Sequence, residues 1–373
     1  MSKFDAVWRS LESTVASGWV PGIVAGARHA GETEFFATGV RTLGESAPML
    51  VETPFRISSL SKPIAGALTA LLIADGMIAL DDPVERWLPE LANPRVLVTP
   101  DAPLDQTVAA ERPITVRHLL TMTNGLGVVF ADTPLSRAIR DAEVGASALP
   151  PQMSHDEFMA RLGALPLAYQ PGERWMYHTP ADILSVLLAR AGNAPLRDVL
   201  RKYITGPLGM ESTAFLGSGA QLPTAYVPTP EGLTAFDPPD GAFARTPQFE
   251  TLAGGLVSTI SDYIRFLSAL ADDVLLPPGL KHQMTSDQLT ASQRDGMVEW
   301  AGPAISWGWQ VAVYTATSEP WTSPGRYGWD GGTGTSAYTD PSRDLIGAIL
   351  TQRLMTNPDE NFAYFWEPLA AVV

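Results

Sequence analysis

The sequence is poor in the residues that metal, redox and nucleic-acid chemistry require. It has no cysteine, so disulfides and thiol catalysis are excluded. It has five histidines, and no two of them stand at the spacing of zinc ligands. Its only lysines are Lys3, Lys62, Lys202 and Lys281, against a formal net charge of −15. We therefore expect no metal, no cofactor and no nucleic-acid partner.

Long apolar runs are missing as well. No uninterrupted apolar stretch is long enough to form a membrane-spanning helix, so no membrane partner is expected. The first residues, from Phe4 to Val15, form an amphipathic helical pattern and lack the apolar centre of a secretory signal. These features predict a cytoplasmic protein that acts on a small-molecule substrate. They leave the oligomeric state open.

The apolar periodicity places strands near both ends of the chain and helices between them. A chain of 373 residues with 45% hydrophobic content can bury a large core. The patterns predict strands at 22–28, 33–40, 305–314, 336–338 and 345–351. They predict helices at 115–122, 154–162, 181–191, 196–204, 259–270 and about 358–371. A long loop is predicted at 217–249, where proline, glycine and threonine are frequent.

The arrangement of these elements predicts two domains. We expect a discontinuous α/β domain formed by residues 1–80 and 251–373, with one sheet built from both ends of the chain. Residues 81–250, where strand patterns nearly vanish, are expected to form an inserted helical domain. The active site is expected between the two.

The segment with the clearest chemical content is Ser59-Leu60-Ser61-Lys62-Pro63. Positions three apart share one face of a helix, so the Ser59 hydroxyl and the Lys62 amine can meet. A serine becomes a strong nucleophile when a neighbouring base takes its proton, and a buried lysine with a lowered pKa can be that base. The apolar and alanine-rich residues after Pro63 favour such burial.

Two later stretches offer complementary groups. Tyr177 could relay a proton to a leaving group if its phenol lies close to a lysine. The glycine-rich stretch 327–335 permits a strand backbone to approach a substrate closely. An N–H group of that strand, with the N–H of Ser59, could form an oxyanion hole.

These stretches together resemble the serine β-lactamase and penicillin-binding-protein superfamily, specifically its class C-like branch with the family VIII carboxylesterases. The similar stretches, in shared order and spacing, are 55–63, 114–126, 170–177, 206–210, 254–262 and 328–341. The resemblance implies an α/β (α+β sandwich) fold of the β-lactamase/transpeptidase type. Its mixed, mainly antiparallel sheet would be flanked by helices and would carry an inserted all-α domain.

The resemblance also implies a role for each matching residue. Ser59 would be the acylated nucleophile, Lys62 its proton acceptor, and Tyr177 the proton relay to the leaving group. The N–H groups of Ser59 and Gly332 would hold the oxyanion. The third motif of the family would fall on Trp329-Asp330-Gly331 as a substrate-binding strand.

The sequence departs from the family pattern at two places. Trp329 stands where lactamases and peptidases have a cation, and Asp330 adds a negative charge beside it. The family's Tyr-x-Asn motif reads Tyr177-His178-Thr179, without the asparagine. Both departures predict weak binding of anionic lactams and favour a carboxylesterase acting on small uncharged esters.

Several alternatives remain at this point. An amidase, a D-aminopeptidase, a weak β-lactamase, an acyltransferase and a non-catalytic relative would share the same scaffold. His178 could tune Tyr177 or bind substrate, or be a local hydrogen-bonding residue. The aromatic residues Trp175, Trp307, Trp309 and Trp329 could line an apolar acyl pocket, although tryptophans in strands more often belong to the core. Asp330 could be a solvated turn residue.

Overall fold

The computed structural model describes residues 2–215, 222–356 and 360–372. Within these residues the largest element is a seven-stranded sheet whose neighbouring strands all pair antiparallel. Its strands, in chain order, are β1 (Gly22–His29), β2 (Glu32–Gly39), β9 (Ile305–Trp307), β10 (Ala312–Tyr314), β11 (Tyr327–Gly331), β12 (Thr335–Asp340) and β13 (Leu345–Thr351). Three two-stranded sheets supply β3 (Phe55–Arg56) with β8 (Val257–Ser258), β4 (Arg95–Leu97) with β5 (Thr107–Ala109), and β6 (Ala225–Thr229) with β7 (Gly232–Asp237).

The sheet joins the two ends of the chain, as the sequence predicts. Strand β1 pairs with β2 on one side and with β13 on the other, from Ile23 opposite Thr351 to His29 opposite Leu345. The β1–β2 hairpin closes through Ala30 and Gly31, both with positive φ, which matches the right-handed twist of the strands. The order across the sheet is β2-β1-β13-β12-β11-β10-β9.

The α-helices of the described residues are α1 (Asp5–Ala16), α2 (Ser61–Ala74), α3 (Val116–Leu120), α4 (Pro134–Asp141), α5 (His155–Gly163), α6 (Thr179–Ala191), α7 (Leu196–Leu200), α8 (Ile260–Ala271), α9 (Pro278–Thr285), α10 (Ala291–Ala301) and α11 (Ala363–Ala370). Helices α1 and α11 cover one face of the sheet, and α8 packs on the other. Alternate residues of a strand face opposite sides, so Ile23, Ala25 and Ala27 pack with α1 and α11. Val24 on the other face joins the larger core that contains α2, α6 and α8.

Some predicted elements differ from the structure. The single strand predicted at 305–314 is two strands, β9 and β10, in the structure. The chain turns back on itself between them, at Gly308 and at Gln310, whose φ is 60°. The prediction of a loop at 217–249 was wrong over 225–237, where β6 and β7 form a hairpin that includes Pro228. Proline is tolerated there because β6 is an edge strand. Residues 217–221 of the predicted loop lie outside the described part of the chain. Likewise α11 begins at Ala363, and 358–359 of its predicted range are not described.

Three helices went unpredicted: α4, α9 and α10. The N-cap of α4 is Thr133 and that of α10 is Thr290, and each forms a reciprocal capping box with the residue three positions later. Between residues 81 and 250, β4 and β5 also went unpredicted. The division into domains 1–80 with 251–373 and 81–250 remains a prediction. No helix within the described ranges is long and apolar enough to cross a membrane.

Candidate active site

Ser59 lies in a single 3-10 turn, Ser58–Leu60, that leads directly into α2. Strand β3 ends at Arg56, just before this turn, and pairs with β8, so the turn is fixed to the body of the protein from both sides. Ser58 has a φ of 47°, an uncommon value for a residue other than glycine. Ser59 is 7% exposed at this junction, where the chain enters α2.

Three predicted residues meet at the Ser59 hydroxyl. Lys62 Nζ lies 3.0 Å from Ser59 Oγ, one turn along α2. The Tyr177 hydroxyl, 118 positions away in sequence, donates a hydrogen bond to the same Oγ at 2.9 Å. The Lys62 Nζ also lies 4.6 Å from the centre of the Tyr177 ring. A serine oxygen is thus placed between an amine that can accept its proton and a phenol that can donate one.

Lys62 is fully buried, at 0% exposure, and it also donates to the Ala253 carbonyl at 2.5 Å. Burial lowers the pKa of the Lys62 ammonium from 10.5 to about 7, while the negative charge of Asp182 opposes that change. A large fraction of the side chains is therefore neutral at physiological pH. A neutral Lys62 has a lone pair and can accept the Ser59 proton across the same 3.0 Å.

Tyr177 is held from its other side by Trp329. The Trp329 indole Nε1 donates to the Tyr177 hydroxyl at 2.6 Å. Burial raises the pKa of the Tyr177 phenol above its ordinary value, and the hydrogen bonds to Ser59 and from Trp329 partly oppose this. The phenol is therefore protonated in the resting site and is arranged to give a proton. The indole N–H is already used and is not free for a substrate carboxylate.

The turn between β11 and β12 approaches the Ser59 segment closely. A Cβ on Gly331 would stand 2.6 Å from the Ile57 carbonyl, so only glycine fits there. Thr333 Oγ1 donates to the Arg56 carbonyl at 2.7 Å and Thr335 Oγ1 to the Ile57 carbonyl at 3.1 Å. These bonds place the exposed Gly332 beside the 3-10 turn that carries Ser59.

Trp329 and Asp330 face opposite sides of β11. Successive side chains of a strand alternate, and while Trp329 reaches Tyr177, the Asp330 carboxylate accepts a hydrogen bond from Tyr338 at 2.8 Å. The prediction that Asp330 contacts substrate finds no support in this geometry. Because its carboxylate accepts a hydrogen bond from Tyr338, Asp330 is also not a solvated turn residue.

The predicted tryptophans are buried. Trp329 is 6% exposed, and Trp175, Trp307 and Trp309 are less so. Trp175 and Trp307 pack around the Tyr177 ring, with centroids 5.7 and 6.3 Å away, whereas Trp309 packs against α2 through the close approach of Gly66 to its carbonyl. Trp175, Trp307 and Trp309 are therefore core residues, and the first two brace the phenol.

His178 forms the centre of a γ-turn. Its φ and ψ are 78° and −68°, and the Thr179 N–H bonds to the Tyr177 carbonyl at 3.1 Å across it. Such a conformation costs about 1–3 kcal/mol and persists only where the surroundings impose it. The ring Nε2 lies 3.3 Å from Asp182 Oδ2, and burial and the nearby Lys62 lower the pKa of the imidazole. His178 is therefore a neutral group next to Tyr177.

Sequence reasoning missed four contributors to this site. Trp300 of α10 lies 4.5 Å from the Tyr177 ring, centroid to centroid. Asp182 contacts His178, and Thr251 and the Ala253 carbonyl connect Asp182 to Lys62. Asp182 stands five residues after Tyr177, but an acidic residue in the first turn of a helix has an ordinary explanation in the helix dipole. A backbone carbonyl such as that of Ala253 has no signature in the sequence.

Comparison with known proteins gives consistent similarities. The family model described as Beta-lactamase matches residues 8–371. Protein Rv1367c of Mycobacterium tuberculosis is 35% identical over 332 residues, which cover 84% of this chain and 81% of that protein. Esterase EstB of Burkholderia gladioli is 29% identical over 348 residues, with coverage of 84% and 81%.

A solved structure resembles the whole molecule. It is that of "EstCE1, a hydrolase with promiscuous acyltransferase activity", with a TM-score of 0.83, 24% identity, and coverage of 99% of this chain and 98% of that one. This likeness confirms the predicted fold class.

Proposed function

The chain belongs to the beta-lactamase family of serine hydrolases, and from that premise we propose that it is a carboxylesterase that forms an acyl-enzyme on Ser59. The observation that carries the proposal is the position of Ser59 Oγ, 3.0 Å from Lys62 Nζ and 2.9 Å from the Tyr177 hydroxyl. A nucleophile in contact with both a base of lowered pKa and a protonated acid is the arrangement that acyl transfer needs.

The proposed reaction begins with attack of Ser59 Oγ on the ester carbonyl carbon. Lys62 accepts the hydroxyl proton, and the N–H groups of Ser59 and Gly332 stabilise the oxyanion of the tetrahedral intermediate. When the intermediate collapses, the bond to the alcohol oxygen breaks and Tyr177 donates a proton to that oxygen. Tyr177 is then reprotonated from Lys62. Water attacks the acyl-enzyme in the second half of the reaction, with the same groups acting in reverse.

The environment of Trp329 supports an uncharged substrate. Its indole N–H is engaged by Tyr177 at 2.6 Å, and it occupies the position where the family's lactamases are expected to have a cation. The formal net charge of −15 repels anions at long range. The relative named esterase EstB, 29% identical over most of both chains, favours the same activity. A cytoplasmic location and a small-molecule substrate are part of this proposal.

The proposal is tested by labelling followed by turnover. Intact mass is measured after incubation with a p-nitrophenyl phosphonate, short-chain p-nitrophenyl esters, a D-amino acid amide and a penicillin. Peptide mapping is expected to place the phosphonate on Ser59, and Ser59→Ala should remove both labelling and ester hydrolysis. Ser46→Ala, a change at an exposed serine, is the matched control and should behave as wild type.

Two outcomes would contradict the proposal. An adduct on Ser58 or Ser61 would remove Ser59 from its role. Faster turnover of the amide or the penicillin than of the esters would assign the site to an amidase or a lactamase. Addition of a primary alcohol separates hydrolysis from acyl transfer, because a transferase would form the new ester in preference to the free acid.

A further inference from the structure

Asp182 connects two separate parts of the candidate site. It lies in the first turn of α6, and its side chain is 4% exposed. Carboxylate Oδ2 lies 3.3 Å from His178 Nε2. The other oxygen, Oδ1, accepts a hydrogen bond from Thr251 Oγ1 at 2.6 Å. One buried carboxylate is therefore shared between α6 and the segment that precedes β8.

The contact with Thr251 continues to Lys62. Thr251 Oγ1 accepts a hydrogen bond from the Ala253 N–H at 2.9 Å. The Ala253 carbonyl in turn accepts from Lys62 Nζ at 2.5 Å. Asp182 thus fixes the peptide that orients Lys62, through one side-chain bond and one backbone bond.

The contact between Asp182 and His178 also affects Tyr177, the other catalytic candidate. His178 immediately follows Tyr177 and is strained, with a φ of 78°. Its contact with Asp182 supplies a reason for the turn to persist. Because Tyr177 precedes this turn, the direction of the phenol depends on how the turn is held. Lys62 and Tyr177 therefore share one anchoring group.

Asp182 is also the charged group that acts on Lys62. The titratable side chains of the α6 segment near Lys62 are Tyr177, His178 and Asp182, and α8 contributes the buried Tyr263. Tyr177 is protonated, and burial raises the pKa of the Tyr263 phenol as well. The Asp182 charge raises the pKa of Lys62 against the larger effect of burial.

We propose that Asp182 is a positioning residue for acyl transfer, which holds Lys62 through Thr251 and Ala253 and holds Tyr177 through the His178 turn. This inference rests on the proposed function. It differs from a purely structural role, in which Asp182 would only stabilise the start of α6. The two roles give different kinetics.

Asp182→Asn is compared with Asp262→Asn, a change of the same kind in the first turn of α8. Asp262 is 8% exposed and accepts hydrogen bonds from Ser212 N–H and Thr213 Oγ1, away from Lys62. Asp182→Asn is expected to lower kcat about ten- to hundredfold with little change in KM. The acid limb of its kcat/KM profile moves to lower pH, because Lys62 loses the charge that favours its protonated form. Asp262→Asn should leave both the limb and kcat unchanged.

Thr251 provides a pair of variants without a change in charge. Thr251→Val is expected to lower kcat about tenfold without moving the acid limb, and Thr251→Ser, which keeps the hydroxyl, should restore kcat. This pair keeps the inference testable if Asp182→Asn does not fold.

Three results would overturn the inference. Asp182→Asn could lower only the melting temperature while its kinetics match those of Asp262→Asn. Its acid limb could stay in place. Thr251→Val and Thr251→Ser could be equally active. A wild-type protein that is not acylated at Ser59 by any probe would instead refute the proposed function, so the two failures are distinct.

Discussion

Replacement of Lys62 by methionine should lower the rate of ester hydrolysis by about two to four orders of magnitude and yet stabilise the protein in a pH-dependent way. The amine is completely buried, and its pKa falls from 10.5 to about 7. The folded pKa is the lower of the two, so between these values the unfolded chain binds more protons than the folded one. The stability of the wild type therefore increases as pH rises through this window.

The size of the effect follows from the linkage relation. Each pH unit inside the window corresponds to about 1.4 kcal/mol of unfolding free energy. Near the folded pKa the amine of the folded protein is still partly protonated, so the gain per pH unit is smaller there. Between about pH 7 and pH 9 the unfolding free energy of the wild type therefore increases by about 2 kcal/mol because of Lys62. Lys62→Met lacks this group, although it leaves the Ala253 carbonyl without a donor, at a cost of about 1–3 kcal/mol that does not depend on pH.

The measurement is the free energy of unfolding in urea for both proteins at both pH values, followed by tryptophan fluorescence. The advantage of Lys62→Met over wild type should shrink by about 2 kcal/mol between pH 7 and pH 9. Ionisable groups that do not interact with Lys62 cancel in this difference. Burial, the largest cause, is the same in both proteins and keeps the pKa of His178 lowered and that of Tyr177 raised. A difference that stays constant with pH would refute the assignment of Lys62 as a buried base.

Three further outcomes test the site and its support. Lys62→Ala and Tyr177→Phe should each lower kcat by about two to four orders of magnitude, and the double variant should be little worse; additive losses in steady-state kinetics would contradict a shared role. Wild type should prefer a short-chain ester over a penicillin by about a hundredfold in kcat/KM. Trp329→Lys should reduce this preference, whereas Trp329→Phe should leave it unchanged. If the Lys variant loses both activities equally, Trp329 only holds β11 in place. The buried Arg56 guanidinium lies 2.5 Å from the Asp237 carboxylate, and Asp237→Asn removes this counter-charge. The variant should be less stable by about 3–5 kcal/mol in thermal unfolding. A variant as stable as wild type would show that the ion pair is dispensable.

The sequence predicted which side chains lie together at Ser59 better than it predicted the contacts around them. The spacing of Ser59 and Lys62 and the motif at Tyr177 were sufficient to bring three side chains together, because local spacing and motif order survive in a single sequence. The bond from Trp329 to Tyr177 was not foreseen, since it depends on which face of β11 meets the segment before α6. The same alternation directs Asp330 to Tyr338 on the opposite face of β11.

The fold was predictable where one pattern extends over many residues. Strands β1, β2 and β13 each extend over seven or eight residues, and they lie close to their predicted positions. The turn at Gly308 was missed because alternation of apolar residues is the same in one long strand and in two short strands of a hairpin. The contribution of the Ala253 carbonyl could not be predicted, because every residue has a carbonyl and only the folded chain selects one.

The closure of the central sheet by the two ends of the chain has a consequence for biosynthesis. Ser59 and Lys62 leave the ribosome early, but the hydroxyls that fix the backbone before Ser59 belong to Thr333 and Thr335. In the same way, β1 can pair with β13 only after β13 has been synthesised. Pairings this distant in sequence form late. A nascent or truncated chain that stops before β11 has the serine without the turn that bears Gly332. Hydrolytic activity should therefore appear only after β11, β12 and β13 have been synthesised.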